Sequence, residues 1–147
     1  MRYPTAPGLQ TAAFPMRPPT ARPQPRLVLA AATVLALAAS AAFVARAPAA
    51  VIDPDLVRVI RCMAAIKGGF ALAALAACLW RLGRPASGWR RLAYVAGPPL
   101  MAGGAVALWS LHLLGLAALG LHLGLLAVAA AALTDPAFFD GWRPRRA

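Results

Sequence analysis

Carboxylates are nearly missing from this chain. Four acidic residues stand against fifteen Lys and Arg in 147 residues, and none lies inside an apolar run. Intramembrane proton relays of the usual kind therefore lack their acid. Charge of either sign is scarce: 13% of residues are charged, against about a quarter in a soluble domain. From residue 92 to residue 134 there is no charge at all. Cysteine is limited to Cys62 and Cys78, which fall about 24 Å apart on one expected helix and cannot pair within the chain. No Walker, Rossmann or zinc-ligand spacing occurs. Ser40 and Ser110 have no evident base, and Cys62-Met63 with Met101 and the histidines matches no copper-site spacing. These absences remove the common enzymes and lead to the expectation of a protein without catalytic activity.

Apolar residues are what the chain has in abundance. They make up 61% of it, with a mean hydropathy of +0.68, and they gather in blocks of roughly 18 or more, as bilayer crossings require. The expected fold is an all-α integral membrane protein, with four transmembrane helices in an up-down bundle. The helices are expected over about 27–45, 57–82, 92–111 and 114–134, so that residues 27–134 form the membrane domain. The uncharged run over 92–134 would span roughly 64 Å as one helix, twice a hydrocarbon core, so it must turn back near Trp109 to Gly115. Pro98-Pro99 removes two backbone donors and predicts a kink in the third helix.

The flanks are basic. Residues 1–26 carry seven prolines and four arginines, which predicts a disordered tail; its PxxP match is better explained as part of that solvated tail than as a docking peptide. Residues 135–147 form a short basic tail. The 27–45 block resembles a signal peptide in outline, but its length and its bulky end at Phe43-Val44 predict an uncleaved signal-anchor helix. Four basic residues precede the first helix, four run from Arg81 to Arg91, and three follow the fourth helix. The positive-inside rule then places both termini in the cytoplasm. Arginine outnumbers lysine fourteen to one, which suggests a GC-rich bacterial gene and hence the inner membrane. The net charge of +11 brackets the apolar blocks instead of forming one face, so anionic lipid headgroups are the expected partner and nucleic acid is not.

The segment over 53–84 organises the rest. Asp53-Pro54 reads as a helix N-cap followed by proline at the first helical position, and Asp55 is spaced to pair with Arg58. Lys67, the one lysine in the chain, lies about five residues inside the apolar run that starts at Cys62, or roughly 7 to 8 Å deep. At that depth its stem nearly reaches the rim, so snorkelling is the expected behaviour. The competing reading puts it on a small-residue face with Ala64, Ala71, Ala74 and Cys78, turned into the bundle.

Two further sets of residues are candidates. Ala117, Gly120, Gly124, Ala127 and Ala131 form a small-residue stripe with a GxxxG match, suited to close helix packing. Arg58, Arg61, Lys67, His112 and His122 fall in one half of the membrane by depth, and together would suit an anion, a quinone carbonyl or a haem propionate. His112 is expected as an exposed turn residue, and His122 as a neutral histidine opposite the packing stripe. The function expected is that of a small accessory or interaction subunit with a membrane-protein partner or in a homo-oligomer. A haem b or quinone-binding redox protein using His112 and His122, and an anion-transporting homo-oligomer with Lys67 at its pore, are the alternatives.

Overall fold

The computed structural model describes residues 24–46 and 51–140; most of the Pro/Arg-rich tail expected over 1–26, with its PxxP match, and the basic residues after 140 lie outside them. Among the described residues the chain is all helix: α1 (Pro25–Val44), α2 (Pro54–Arg81), α3 (Gly88–Trp109), α4 (Leu114–Leu133) and the short α5 (Pro136–Asp140). The first four are long and apolar enough to cross a membrane.

Three helices begin earlier than the apolar pattern indicates, each for a local reason. Pro25 and Pro54 occupy the first helical turn, where a missing amide hydrogen costs nothing, so α1 starts at a proline before its apolar block and α2 starts at the proline that follows the expected Asp53 cap. The Asp53 carboxylate caps α2 by accepting from the Asp55 backbone N–H at 2.9 Å. Gly88 follows the Ser87 N-cap and opens α3 four residues before Leu92. α3 then runs through Pro98 and Pro99 without interruption. Both prolines are buried, which is where a segment with unsatisfied carbonyls must sit at membrane depth.

α3 is the hub. It packs against α4, α1 and α2, whereas α2 and α4 touch each other only slightly. Helix association in lipid depends on close packing instead of burial from water, and the α3–α4 contact is closest at two levels. A Cβ built on Gly124 would lie 2.6 Å from the Gly97 carbonyl oxygen, and one on Gly104 would lie 2.7 Å from that of Ala117. Only glycine permits these backbones to meet. Ala117, Gly124 and Ala131 of the small-residue stripe are buried against neighbours, while Gly120 and Ala127 are half-buried. Gly120 has room for a methyl, its nearest neighbour being the Leu100 carbonyl at 3.6 Å.

The core has two parts. Leu29, Cys78, Leu82, Tyr94, Val128 and Ala131 fill the end that carries the Arg81–Arg91 loop, called the basic end here. Ala64, Ala71, Met101, Leu108, Ala117 and Leu121 fill the opposite end. At that opposite end α3 and α4 are joined by a tight turn in which Leu111 (φ 60°) and Leu113 (φ 45°) are both left-handed. That conformation is costly for a side chain with a Cβ.

Candidate functional site

Polar side chains with buried partners concentrate at the basic end, where α2 ends, α3 begins and α4 gives way to α5. The Arg81 guanidinium, 2% exposed, meets the Asp135 carboxylate, also 2% exposed. The pair is bidentate: Nε donates to Oδ2 at 2.8 Å and Nη2 to Oδ1 at 3.0 Å. This fork-on-fork geometry is what makes an Arg–carboxylate pair strong and directional. The remaining Arg81 donors hold the loop, Nη1 to the Arg84 carbonyl and Nη2 to the Pro85 carbonyl, both at 3.3 Å. The Tyr94 hydroxyl, from α3, donates to Asp135 Oδ2 at 3.1 Å. The Ala137 backbone N–H donates to Oδ1 at 3.2 Å, which also caps α5.

Aromatic rings close over this network. Phe138 of α5 stacks on Tyr94 and meets Trp80 edge to face, while the Arg84 guanidinium lies 4.9 Å from the Trp80 ring centre. Arg26 reaches from α1 to donate to the Leu79 carbonyl at 2.9 Å, satisfying an orphan carbonyl in the last turn of α2 where a cation is also favoured by the helix dipole. Arg90 donates to the Thr134 carbonyl. Burial pushes the Asp135 carboxyl up, but the Arg81 guanidinium and the Tyr94 hydroxyl together outweigh it, and the net direction is below the ordinary carboxylate range. Asp135 is therefore an ionised anchor with its oxygens occupied. The cluster latches α2, α3, α4 and α5 together, and it offers neither a free base nor a free acid.

The candidates read from sequence are dispersed. Arg58 is exposed and pairs with Asp55 at 3.4 Å, a rim pair of the kind that contributes little. Arg61 lies over the Trp109 ring at 5.8 Å. His112, expected to be exposed, is instead 5% exposed. The two left-handed leucines fold the turn back, so that the His112 backbone N–H donates to the Ala107 carbonyl at 2.9 Å. Its ring then stands edge-on to Phe43 of α1. Nδ1 of His112 is 2.6 Å from the Ser110 carbonyl oxygen, and Nδ1 of His122 is 2.6 Å from that of Ala118. A carbonyl can only accept, so Nδ1 donates in both rings.

Lys67 and His122 are the one pair that comes together. They share a small cavity of about 40 Å³ with Phe70, Met101, Leu121 and Leu125. The expected convergence of five donors on one anion is thus not formed. His112 stands in the α3–α4 turn against Phe43, and His122 stands on α4 beside Lys67. Among the described residues no three His, Cys, Asp or Glu side chains group to hold a metal ion.

The Arg81–Tyr94–Asp135 network was not anticipated from the sequence. Its one signal there is Asp135 itself, an acid between an uncharged helix and a proline, 54 residues from its partner. No family model, curated protein or solved structure matches the chain.

Proposed function

We propose that this is a multi-pass protein of a bacterial inner membrane, serving without catalysis as an accessory or interaction subunit of a larger membrane assembly. The observation that carries this reading is a cleft between α1, α2 and α3. It has a volume of about 460 Å³ and is walled by Thr33, Leu37, Gly68, Gly69, Leu72 and Val106, among others. Gly68 and Gly69 have no atom within 4 Å of a built Cβ, so a foreign helix can approach the α2 backbone there as closely as α4 approaches α3. The latch at the basic end supports the same reading, since it stiffens the bundle while keeping its polar groups to itself.

The basic end faces the cytoplasm in this proposal, with Arg26, Arg84, Arg90 and Arg91 at the level of anionic headgroups. Reporter fusions after residue 88 and at the C-terminus should score cytoplasmic, and one at residues 49–52 external. Extraction from the native membrane in mild detergent tests the function. A colourless complex with a second polypeptide is the expected result. A Soret band would favour the haem protein instead, and the 15.2 kDa chain running as a monomer would remove the proposal.

A further inference from the structure

Lys67 is the one cation on a membrane-crossing helix whose surroundings demand explanation. Its cavity companions fix its depth better than counting along α2 does. Met101 and His122 each lie about 12 Å from the Trp109 and Leu114 ends of α3 and α4, and Phe70 and Leu125 lie deeper still, at 1.5 Å per residue. In a hydrocarbon core about 30 Å thick, these residues are close to the midplane. Lys67 is half-buried among them, so α2 carries this cation close to mid-depth.

A charge at that depth is costly unless it meets a counter-charge, and among the described residues no side chain supplies one. The chain's acids are Asp53, Asp55, Asp135 and Asp140. Asp53 caps α2 and Asp55 pairs with Arg58; Asp135 is locked to Arg81, and Asp140 ends α5. A second copy of the chain would carry the same four acids at the same helix ends, so self-association cannot neutralise Lys67 either. A lipid phosphate would lie roughly 15 Å away at the interface.

The space beside Lys67 is a shallow groove that deepens to a hollow of about 40 Å³. α2 and α4 barely touch there, buried Met101 of α3 lines it, and Phe70, His122 and Leu125 stand exposed around it. We infer that this α2–α4 groove is the docking site for a transmembrane helix of a different protein, one that carries an Asp or Glu near the middle of its span. The carboxylate accepts from the Lys67 ammonium. Leu125 and Phe70 pack against its flanks. This rests on the reading of the protein as an interaction subunit and adds a second helix-binding face, beside the α1–α2–α3 cleft, whose partner chemistry it names.

The full chain, labelled with a donor fluorophore at the exposed Cys62 thiol, is reconstituted in phosphatidylcholine vesicles. Acceptor-labelled leucine–alanine transmembrane peptides with Asp, Leu or Lys at the central position are added, and energy transfer is measured. Wild type should bind the Asp peptide roughly three- to thirtyfold more tightly than the Leu peptide, the range expected of interhelical polar contacts in lipid. Lys67→Met should abolish that preference with helix content and melting unchanged. Lys67→Asp should transfer the preference to the Lys peptide, a reversal that a merely destabilised bundle would not produce. Equal binding of Asp and Leu peptides, or an Asp preference that survives Lys67→Met, overturns the docking site. Crosslinking in the native membrane separates this failure from that of the reading beneath it: a partner adduct insensitive to Lys67→Met sinks the groove alone, and no adduct at all sinks both.

Discussion

Removing the Asp135 carboxylate should be among the most damaging single changes available to this protein. Asp135→Leu leaves the Arg81 guanidinium buried without its bidentate partner, frees the Tyr94 hydroxyl and uncaps α5. Breaking one side of a buried ion pair costs about 3 to 5 kcal/mol. The cluster sits at the end of the bundle, where Arg81 can turn toward water, so the lower part of that range, about 3 kcal/mol, is expected. Tyr94→Phe removes one hydrogen bond to a charged acceptor and should cost about 1.5 kcal/mol. Arg81→Met combined with Asp135→Leu should cost clearly less than the sum of the two single changes, because an apolar pair leaves no charge stranded. Reversible unfolding in mixed detergent micelles, followed by helical circular dichroism, measures all four. The pH dependence carries a sign of its own. Because the Asp135 carboxyl is held below its ordinary range in the folded protein, its contribution is fully present above about pH 3.9, the ordinary aspartate value, and is lost as pH falls through the folded value. Wild type should therefore weaken below about pH 4, while the double variant shows a flatter profile. A cost below about 1 kcal/mol for Asp135→Leu, or strict additivity in the double variant, would refute the latch.

Two further changes test the packing. Gly124→Ala should destabilise by about 1 to 3 kcal/mol through overpacking, since its Cβ would meet the Gly97 carbonyl and Met101, and Gly124→Leu should do worse; Gly120→Ala and Leu126→Ala, at an open position and a lipid-facing one, should have little effect in a detergent melt. Leu113→Asn should stabilise the α3–α4 turn by about 1 kcal/mol, because asparagine tolerates the left-handed backbone and Leu113 is 55% exposed. Leu111→Asn, at the buried left-handed position, should fail to stabilise in the same assay.

The four crossings were legible because each is a single apolar run, and the turn at 110–113 because no helix can stay in a bilayer for twice its thickness. The helix starts were less so. Proline at position 25 was taken as part of the disordered tail, where it begins a helix, whereas Asp53-Pro54 was readable as a helix start. The small-residue stripe of α4 was readable from its spacing, but that Gly124 and not Gly120 makes the close approach depends on the register against Gly97, which no single helix contains. The hub role of α3 was hidden for the same reason: its prolines pointed to a kink, yet burial against three neighbours is what allows them. Arg81 was counted among the loop arginines that orient the chain, since nothing local distinguishes it from Arg84. Its partner lies on the far side of two helices.

Arg81 and Lys67 are both cations of α2, and the difference between them decides what this protein needs from outside. Arg81 is almost fully buried and its charge is compensated: a carboxylate accepts from it on two atoms and two loop carbonyls accept further hydrogen bonds. Lys67 is half-buried at mid-depth, with an apolar floor and a histidine beside it whose Nδ1 is already committed to the Ala118 carbonyl. The folded chain uses Asp53, Asp55 and Asp135 at helix ends and none in the middle. The chain satisfies its buried cation within the fold and leaves the half-buried one facing the α2–α4 groove. In the docking proposed above, the compensating group comes on a chain that has what this one lacks, a carboxylate at the centre of an apolar span.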